Sequence, residues 1–155
     1  MLDENMEKFP QFMQDHFCKY NLTFPQGTRW TYDNILAYRA VKYNENKTKV
    51  EREDFLSKAE ERTKGIITPR GAKAKWDDPV FYGVSLNRNK RNLVNLFKLP
   101  KPNKRLAQGV IDANGGPIFI QGDKGHVTWW LYDGSFELIR RSFEIKQYEG
   151  CDENE

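Results

Sequence analysis

The alternation of hydrophobic and polar residues predicts a helix at the N-terminus and strands over most of the remaining chain. Met6, Phe9, Met13 and Phe17 recur near helical spacing and predict an amphipathic N-terminal helix within residues 1–20. Pro10 lies inside that span, so we expect the first turn to be separate or kinked. Strands are predicted at 34–43, 80–86, 107–113, 118–120, 126–132, 136–139 and 142–148.

Two further segments, 52–62 and 89–97, have helical composition and interrupt the series of strands. The turn residues of 114–117 predict a hairpin that joins the strands on either side. This order predicts a single α+β domain over residues 1–155, with an N-terminal helix followed by a mainly antiparallel sheet that carries helical insertions. The acidic tail, 150–155, is expected to fray.

Charge is strongly uneven along the chain, although the whole protein carries only +3. Residues 64–105 hold eleven basic and two acidic side chains, a net charge of +9, whereas residues 106–155 carry −5. A field of this kind attracts anions. We therefore expect a partner that is a nucleotide, a nucleic acid or an acidic protein.

Composition sets limits on location and on metal binding. No apolar run approaches the roughly 20 residues that span a bilayer, so no membrane partner is expected and a cytoplasmic location follows by default. Cys18 and Cys151 form no CxxC pair, and His16 and His126 lack further ligands at metal spacing, so no metal is expected. Cys18 is expected to be buried.

Basic residues and aromatic rings are interleaved in the basic segment. Cations neutralise phosphates and aromatic faces stack on bases, so this pattern favours a nucleotide or nucleic-acid ligand. A solvated face whose rings belong to the core is the structural alternative. The candidate ligand-binding residues are Lys73, Lys75, Trp76, Tyr82, Arg88, Arg91 and, on a later strand, Trp130.

Candidate catalytic residues lie on predicted strands. Arg39 shares a face with Ala37 and Val41, and could clamp a pyrophosphate or carboxylate, or form a structural salt bridge. Gly83 lies two residues before Ser85, which could line a pocket or serve packing. His126 follows a turn, which places it at a sheet rim as a candidate acid–base or base-stacking group, or as an ordinary hydrogen-bonded rim residue.

Two late carboxylates complete the candidate set. Glu144 and Glu149 lie at the end of the predicted sheet, where a carboxylate near a strand arginine could stabilise a cationic transition state. Charge on a half-exposed sheet is the alternative interpretation for both.

The order Tyr38-Arg39, then Ser85, then Gln147-Tyr148-Glu149 resembles the ADP-ribosyltransferase scheme. The resemblance implies that NAD is the substrate, that Arg39 holds it, and that Ser85 supports the pocket. It assigns the glutamate that acts on the ribose to Glu149. Because Glu149 lies near the chain end, Glu144 is an equal contender. The family's Ser-Thr-Ser signature is absent from this sequence.

A second resemblance spans residues 36–132. The segments YRAV, EDFLS, FYGVSL and GHVTWW look like those of small bacterial proteins of uncharacterised activity.

Three functions therefore follow as hypotheses. The first is a small bacterial or phage effector that binds an anionic nucleotide-type ligand in a basic cleft, in its most concrete form an ADP-ribosyltransferase. The second is a non-catalytic module that binds RNA or DNA through residues 64–105. The third is an antitoxin, immunity protein or inhibitor that binds an acidic protein partner. A metal-independent nuclease that uses His126 with Arg39 and a glutamate is a further alternative.

Overall fold

The computed structural model describes residues 4–66 and 73–146. It confirms the predicted α+β class, because helices surround one antiparallel sheet. Short 3-10 helices also occur at Glu4–Lys8, Arg52–Phe55, Pro79–Tyr82 and Ala113–Gly115. The helices are α1 (Gln11–Lys19), α2 (Lys58–Thr63), α3 (Lys90–Phe97) and α4 (Phe136–Ser142), and the strands are β1 (Ile35–Lys42), β2 (Val84–Asn87), β3 (Lys104–Ile111), β4 (Ile118–Gln121), β5 (His126–Trp129) and β6 (Glu144–Ile145).

The sheet has the strand order β4-β5-β2-β1-β3-β6, and every pairing is antiparallel. β1 and β3 pair along their whole length, from Ile35 opposite Ile111 to Lys42 opposite Lys104. β1 and β2, in contrast, register only at Tyr38 opposite Asn87. The two strands therefore diverge on one side of that pair.

Alternation along the strands gives the sheet two distinct faces. The core face carries Ala37, Leu86 and Trp129, which pack in one buried cluster with Phe55 and with Ile139 of α4. The side chains on the other side of the sheet form what we call the second face. This face includes Tyr38, Ser85, Asn87, His126 and Thr128.

The second face is covered at two places. α3 packs on its β1–β3 side through Leu93, which contacts the cluster around Leu106. An aromatic cluster covers the β4–β5 side, where Phe9 and Phe17 from the N-terminal region pack with Trp130. β2 lies between these two regions, and Ser85 on its second face remains exposed.

The chain crosses from the core face to the second face between residues 55 and 59. Phe55 belongs to the core-face cluster, whereas Ala59 at the start of α2 belongs to the aromatic cluster, and both are fully buried. Ser57 caps α2 by accepting a hydrogen bond from the Glu60 amide, which fixes where the helix begins. The crossing delivers α2 to the second face.

Arg39 holds this crossing in place. Its Nε donates to the carbonyl oxygen of Asp54 at 2.6 Å, and one terminal nitrogen donates to the carbonyl of Leu56 at 3.4 Å. The other terminal nitrogen donates to the Ser85 carbonyl at 2.5 Å. The guanidinium also lies over the Phe55 ring, 5.6 Å from its centroid. Arg39 thus links β1, β2 and the crossing segment through main-chain oxygens.

Several local predictions are wrong. Residues 136–139 form the start of helix α4 rather than a strand, because Phe136, Ile139 and Phe143 face the core at helical spacing. Residues 79–82 form a 3-10 helix, since Asp78 caps the Val80 amide and Pro79 begins the turn, so β2 starts only at residue 84.

The predicted hairpin across residues 114–117 is also wrong. A 3-10 turn capped by Asp112 redirects the chain after β3, and β4 pairs with β5 at the opposite edge of the sheet. Ile118 exchanges two main-chain hydrogen bonds with Arg29, which anchors the redirected segment. Cys18, expected to be buried, is exposed. The acidic tail, 150–155, lies outside the described residues.

Replacing Arg39 by methionine is expected to lower the free energy of unfolding by about 3 kcal/mol, because three carbonyl oxygens lose a charged donor. Urea denaturation checks this. Arg141→Met, a matched change at an exposed position of α4, should stay within about 0.5 kcal/mol of the parent. Equal losses in the two variants would contradict the role given to Arg39.

Candidate functional site

Ser85 and His126 form a hydrogen-bonded pair on the second face. β2 and β5 register with Ser85 opposite Thr128 and Asn87 opposite His126, so the pair is a diagonal neighbour across the two strands. Ser85 Oγ and His126 Nε2 are 2.7 Å apart. The serine is exposed and the histidine is half-buried. The structure therefore brings together two predicted site residues at the distance of a nucleophile and its base.

The environment of His126 favours the neutral imidazole. Burial lowers its pKa below the ordinary value of 6.5, and the nearby ammonium of Lys58 lowers it further. A neutral imidazole with its proton on Nδ1 accepts the Ser85 hydroxyl at Nε2. At neutral pH the pair is consequently in the form in which the histidine can take the serine proton.

The turn before β5 fixes where His126 stands. Gly125 has a φ of +87°, and a Cβ there would lie 2.7 Å from Asn87 Oδ1 and 3.2 Å from the Asn89 nitrogen. The Gly125 carbonyl accepts from the Arg88 amide at 2.7 Å. His126 is thus tied to the junction between β2 and α3.

Thr128 places a second hydroxyl beside the pair. It is opposite Ser85 in the register and 1% exposed, and its Oγ1 has no hydrogen-bond partner among the described residues. Gly83 makes room for it, because a Cβ at that glycine would lie 2.3 Å from Thr128 Cγ2. A buried hydroxyl without a partner is costly and uncommon. Thr128 Oγ1 is closed to solvent, so it is a buried polar atom next to the pair and not part of the exposed surface at Ser85.

A cavity of about 240 Å³ lies between α2 and the Pro79–Tyr82 3-10 helix. Lys58 lines it and its charge also acts on His126, so this one side chain links the cavity to the Ser85–His126 pair, while Ser85 and His126 themselves do not line it. We call it the basic cavity. Its lining comprises four basic, two acidic and three apolar side chains, which are Lys58, Arg62, Lys73, Lys75, Glu61, Asp78, Ile66, Val80 and Phe81.

Two wider depressions, of about 590 and 630 Å³, lie where the loop of residues 44–52 meets α4. Most of the basic side chains around the first of them are already paired. Lys47 bonds Asp54 at 2.6 Å, and Arg52 bonds Glu60 at 2.8 Å. Arg140 at their shared edge contacts Glu137 at 3.4 Å. These depressions consequently offer less positive charge to an anion than the basic cavity.

Arg39 and Glu144 do not join the Ser85 and His126 side chains. Arg39 projects to the core face and meets only the carbonyl of Ser85, and burial lowers its pKa to about 10. Glu144 is exposed on the edge strand β6, and β1 and β3 separate it from β2. Glu149 lies outside the described residues.

The predicted stacking residues lie in the aromatic cluster. Trp130 is fully buried and donates from Nε1 to the Pro79 carbonyl at 2.9 Å. Tyr82 is 5% exposed, and its hydroxyl donates to the Trp76 carbonyl at 2.7 Å. The rings of Trp130 and Tyr82 are therefore parts of the core and present no face to a ligand. Trp76 is half-buried beside the Phe81 ring.

The predicted basic residues separate into two groups. Lys73 and Lys75 are exposed and line the basic cavity. Arg88 and Arg91 are exposed at the start of α3, on the His126 side of β2. Both groups thus remain available to an anion, although only the lysines line a concave site.

Sequence reasoning missed Lys58 and Arg62, and it left Thr128 without a role. The Ser57-Lys58-Ala59-Glu60 capping box marks the start of α2, so the sequence does hold a signal for the position of Lys58 along its helix. The proximity of Lys58 to His126 depends on the crossing at residues 55–59, for which the sequence offers no local signal.

Comparison with known proteins gives no match to any protein-family model, curated protein or solved structure. Within residues 4–66 and 73–146, no group of three or more metal-ligating side chains is close enough to hold a metal ion. No helix in the same part of the chain has the length and apolar character needed to cross a membrane. The fold and the site define a small α+β protein with an exposed serine–histidine pair and a basic cavity that Lys58 links to it.

Replacing Lys58 by alanine is expected to raise the pKa of His126 toward 6.5, because a cation that opposes protonation is removed. An NMR titration of the imidazole protons measures this directly. With two histidines in the chain, His16→Gln assigns the signals.

Lys124→Ala provides the control for that titration. Lys124 is exposed in the turn two residues before His126, but it does not contribute to the shift. Its removal should leave the pKa unchanged. A pKa that responds to Lys124 and not to Lys58 would contradict the influence of Lys58 on His126.

Proposed function

We propose that this protein binds a nucleotide-class ligand, a phosphate-bearing molecule with an aromatic base, in the basic cavity. The observation that carries the proposal is the lining of that cavity. Its four basic side chains take part in no ion pair among the described residues, and they stand beside an apolar wall.

The basic side chains suit a phosphate group. Arg62 offers a planar fork that matches phosphate oxygens, and Lys58, Lys73 and Lys75 supply ammonium groups. Of the two carboxylates in the lining, Asp78 accepts a hydrogen bond from the Val80 amide at 2.9 Å, which commits it to capping a helix. The local charge thus favours an anion.

The apolar wall and the volume suit a small ligand. Ile66, Val80 and Phe81 provide a surface against which a base can lie. A cavity of about 240 Å³ is slightly below the usual range for small-molecule sites, which is roughly 300–1,000 Å³. That size favours a mononucleotide over a folded protein partner.

The positions of Arg39 and Glu144 do not favour ADP-ribosyl transfer. The resemblance needs an arginine free to hold NAD, whereas Arg39 donates to three main-chain carbonyls. It also needs a glutamate near that arginine, and the described candidate, Glu144, lies at the sheet edge.

Isothermal titration calorimetry with AMP tests the proposal. We expect AMP to bind, and the double variant Lys73→Ala/Lys75→Ala to bind it about 10-fold or more weakly, because two charged contacts are lost. The matched control Lys42→Ala/Lys49→Ala removes the same charge from exposed positions outside the basic cavity and should bind within about twofold of the parent.

Equal weakening in the two double variants would contradict a localised site. An adenine oligonucleotide series separates nucleotide from nucleic-acid binding. If affinity rises steadily with length and falls with salt as steeply as several phosphate contacts require, the protein binds nucleic acid instead. Absence of AMP binding at millimolar concentration would overturn the proposal.

A further inference from the structure

We infer that Ser85 is a phosphoryl acceptor and His126 its general base, so that the protein removes the phosphoryl group of a bound phosphate monoester. This inference rests on the proposed nucleotide binding. It adds to that binding a reaction, a nucleophile and a substrate class.

The pair meets the geometric requirement for an activated serine. Ser85 Oγ lies 2.7 Å from His126 Nε2, within the range in which a base takes a proton directly. Ser85 is exposed on β2, so its oxygen is open to a ligand. A serine used only for packing would instead be covered.

The scaffold around Ser85 is rigid on both sides. Arg39 donates to the Ser85 carbonyl at 2.5 Å, and β5 pairs with β2 along its full length. The turn at Gly125 fixes His126 against the start of α3. Rigid placement of a nucleophile and its base lowers the entropic cost of the reacting geometry.

A nearby cation suits a phosphoryl group rather than an acyl group. Lys58 places a positive charge near His126 and lines the basic cavity, where it can stabilise the charge on the transferred oxygens. An acyl substrate has no need of the surrounding cations.

The reaction balances without a co-reactant other than water. Ser85 Oγ bonds to phosphorus while its proton passes to His126 Nε2, and the bond from phosphorus to the ester oxygen breaks. The imidazolium then donates that proton to the leaving oxygen, which leaves as an alcohol. Water, deprotonated by His126, next attacks the phosphoserine. Inorganic phosphate departs and Ser85 recovers its proton.

Phosphate release from AMP, followed by intact-mass analysis after acid quenching, tests the inference. We expect release by the parent protein, and a gain of one phosphoryl group that maps to Ser85. Ser85→Ala should lose the mass gain and at least about 100-fold of the release rate, and His126→Gln should lose about 100-fold of the rate. Ser135→Ala, a half-buried serine whose side chain makes no cap bond, should keep both.

The outcomes separate this inference from the binding proposal. If AMP binds but the parent neither releases phosphate nor gains the phosphoryl group, the inference is overturned and the binding site stands. Release that persists in Ser85→Ala overturns it as well. Because Ser85 is exposed, the alanine variant is expected to fold, and AMP binding by that variant verifies that its site is intact. If AMP does not bind the parent, the proposed function itself fails.

Discussion

The three hydrogen bonds from the Arg39 guanidinium to main-chain carbonyls are the constraint on which the rest of the structure depends. β1 and β2 register only at Tyr38 opposite Asn87, and Asp54 and Leu56 lie in the crossing segment outside the sheet. Arg39 donates to Asp54, Leu56 and Ser85 at that place. Unpaired carbonyls would be costly there, and a charged planar donor with several N–H groups can serve all three.

The same constraint builds the candidate site. Arg39 holds the crossing segment, residues 55–59, where the chain passes from the core face to the second face. On the second face, α2 brings Lys58 near His126. Holding the Ser85 carbonyl fixes the strand that carries the serine. An arginine predicted to clamp an anion thus binds main-chain carbonyls inside the protein. The positive charge in the basic cavity comes instead from α2 and from Lys73 and Lys75.

The sequence predicted what depends on local patterns. The α+β class and β1 follow from periodicity and α3 from its helical composition, and Ser85 and His126 were recognised as site residues from their strand positions. The 2.7 Å contact between them was not predictable, because it depends on the pairing of β2 with β5 across 41 residues of chain. The roles of Arg39 and Lys58 depend on the crossing, which is a tertiary feature.

Chemical-shift mapping of the amide signals during an AMP titration tests the central claim most directly. We expect the largest chemical-shift changes in α2, at Val80 and Phe81, and at Ser85 and His126. Changes that cluster instead in the loop of residues 44–52 and in α4, where the wider depressions lie, would contradict it.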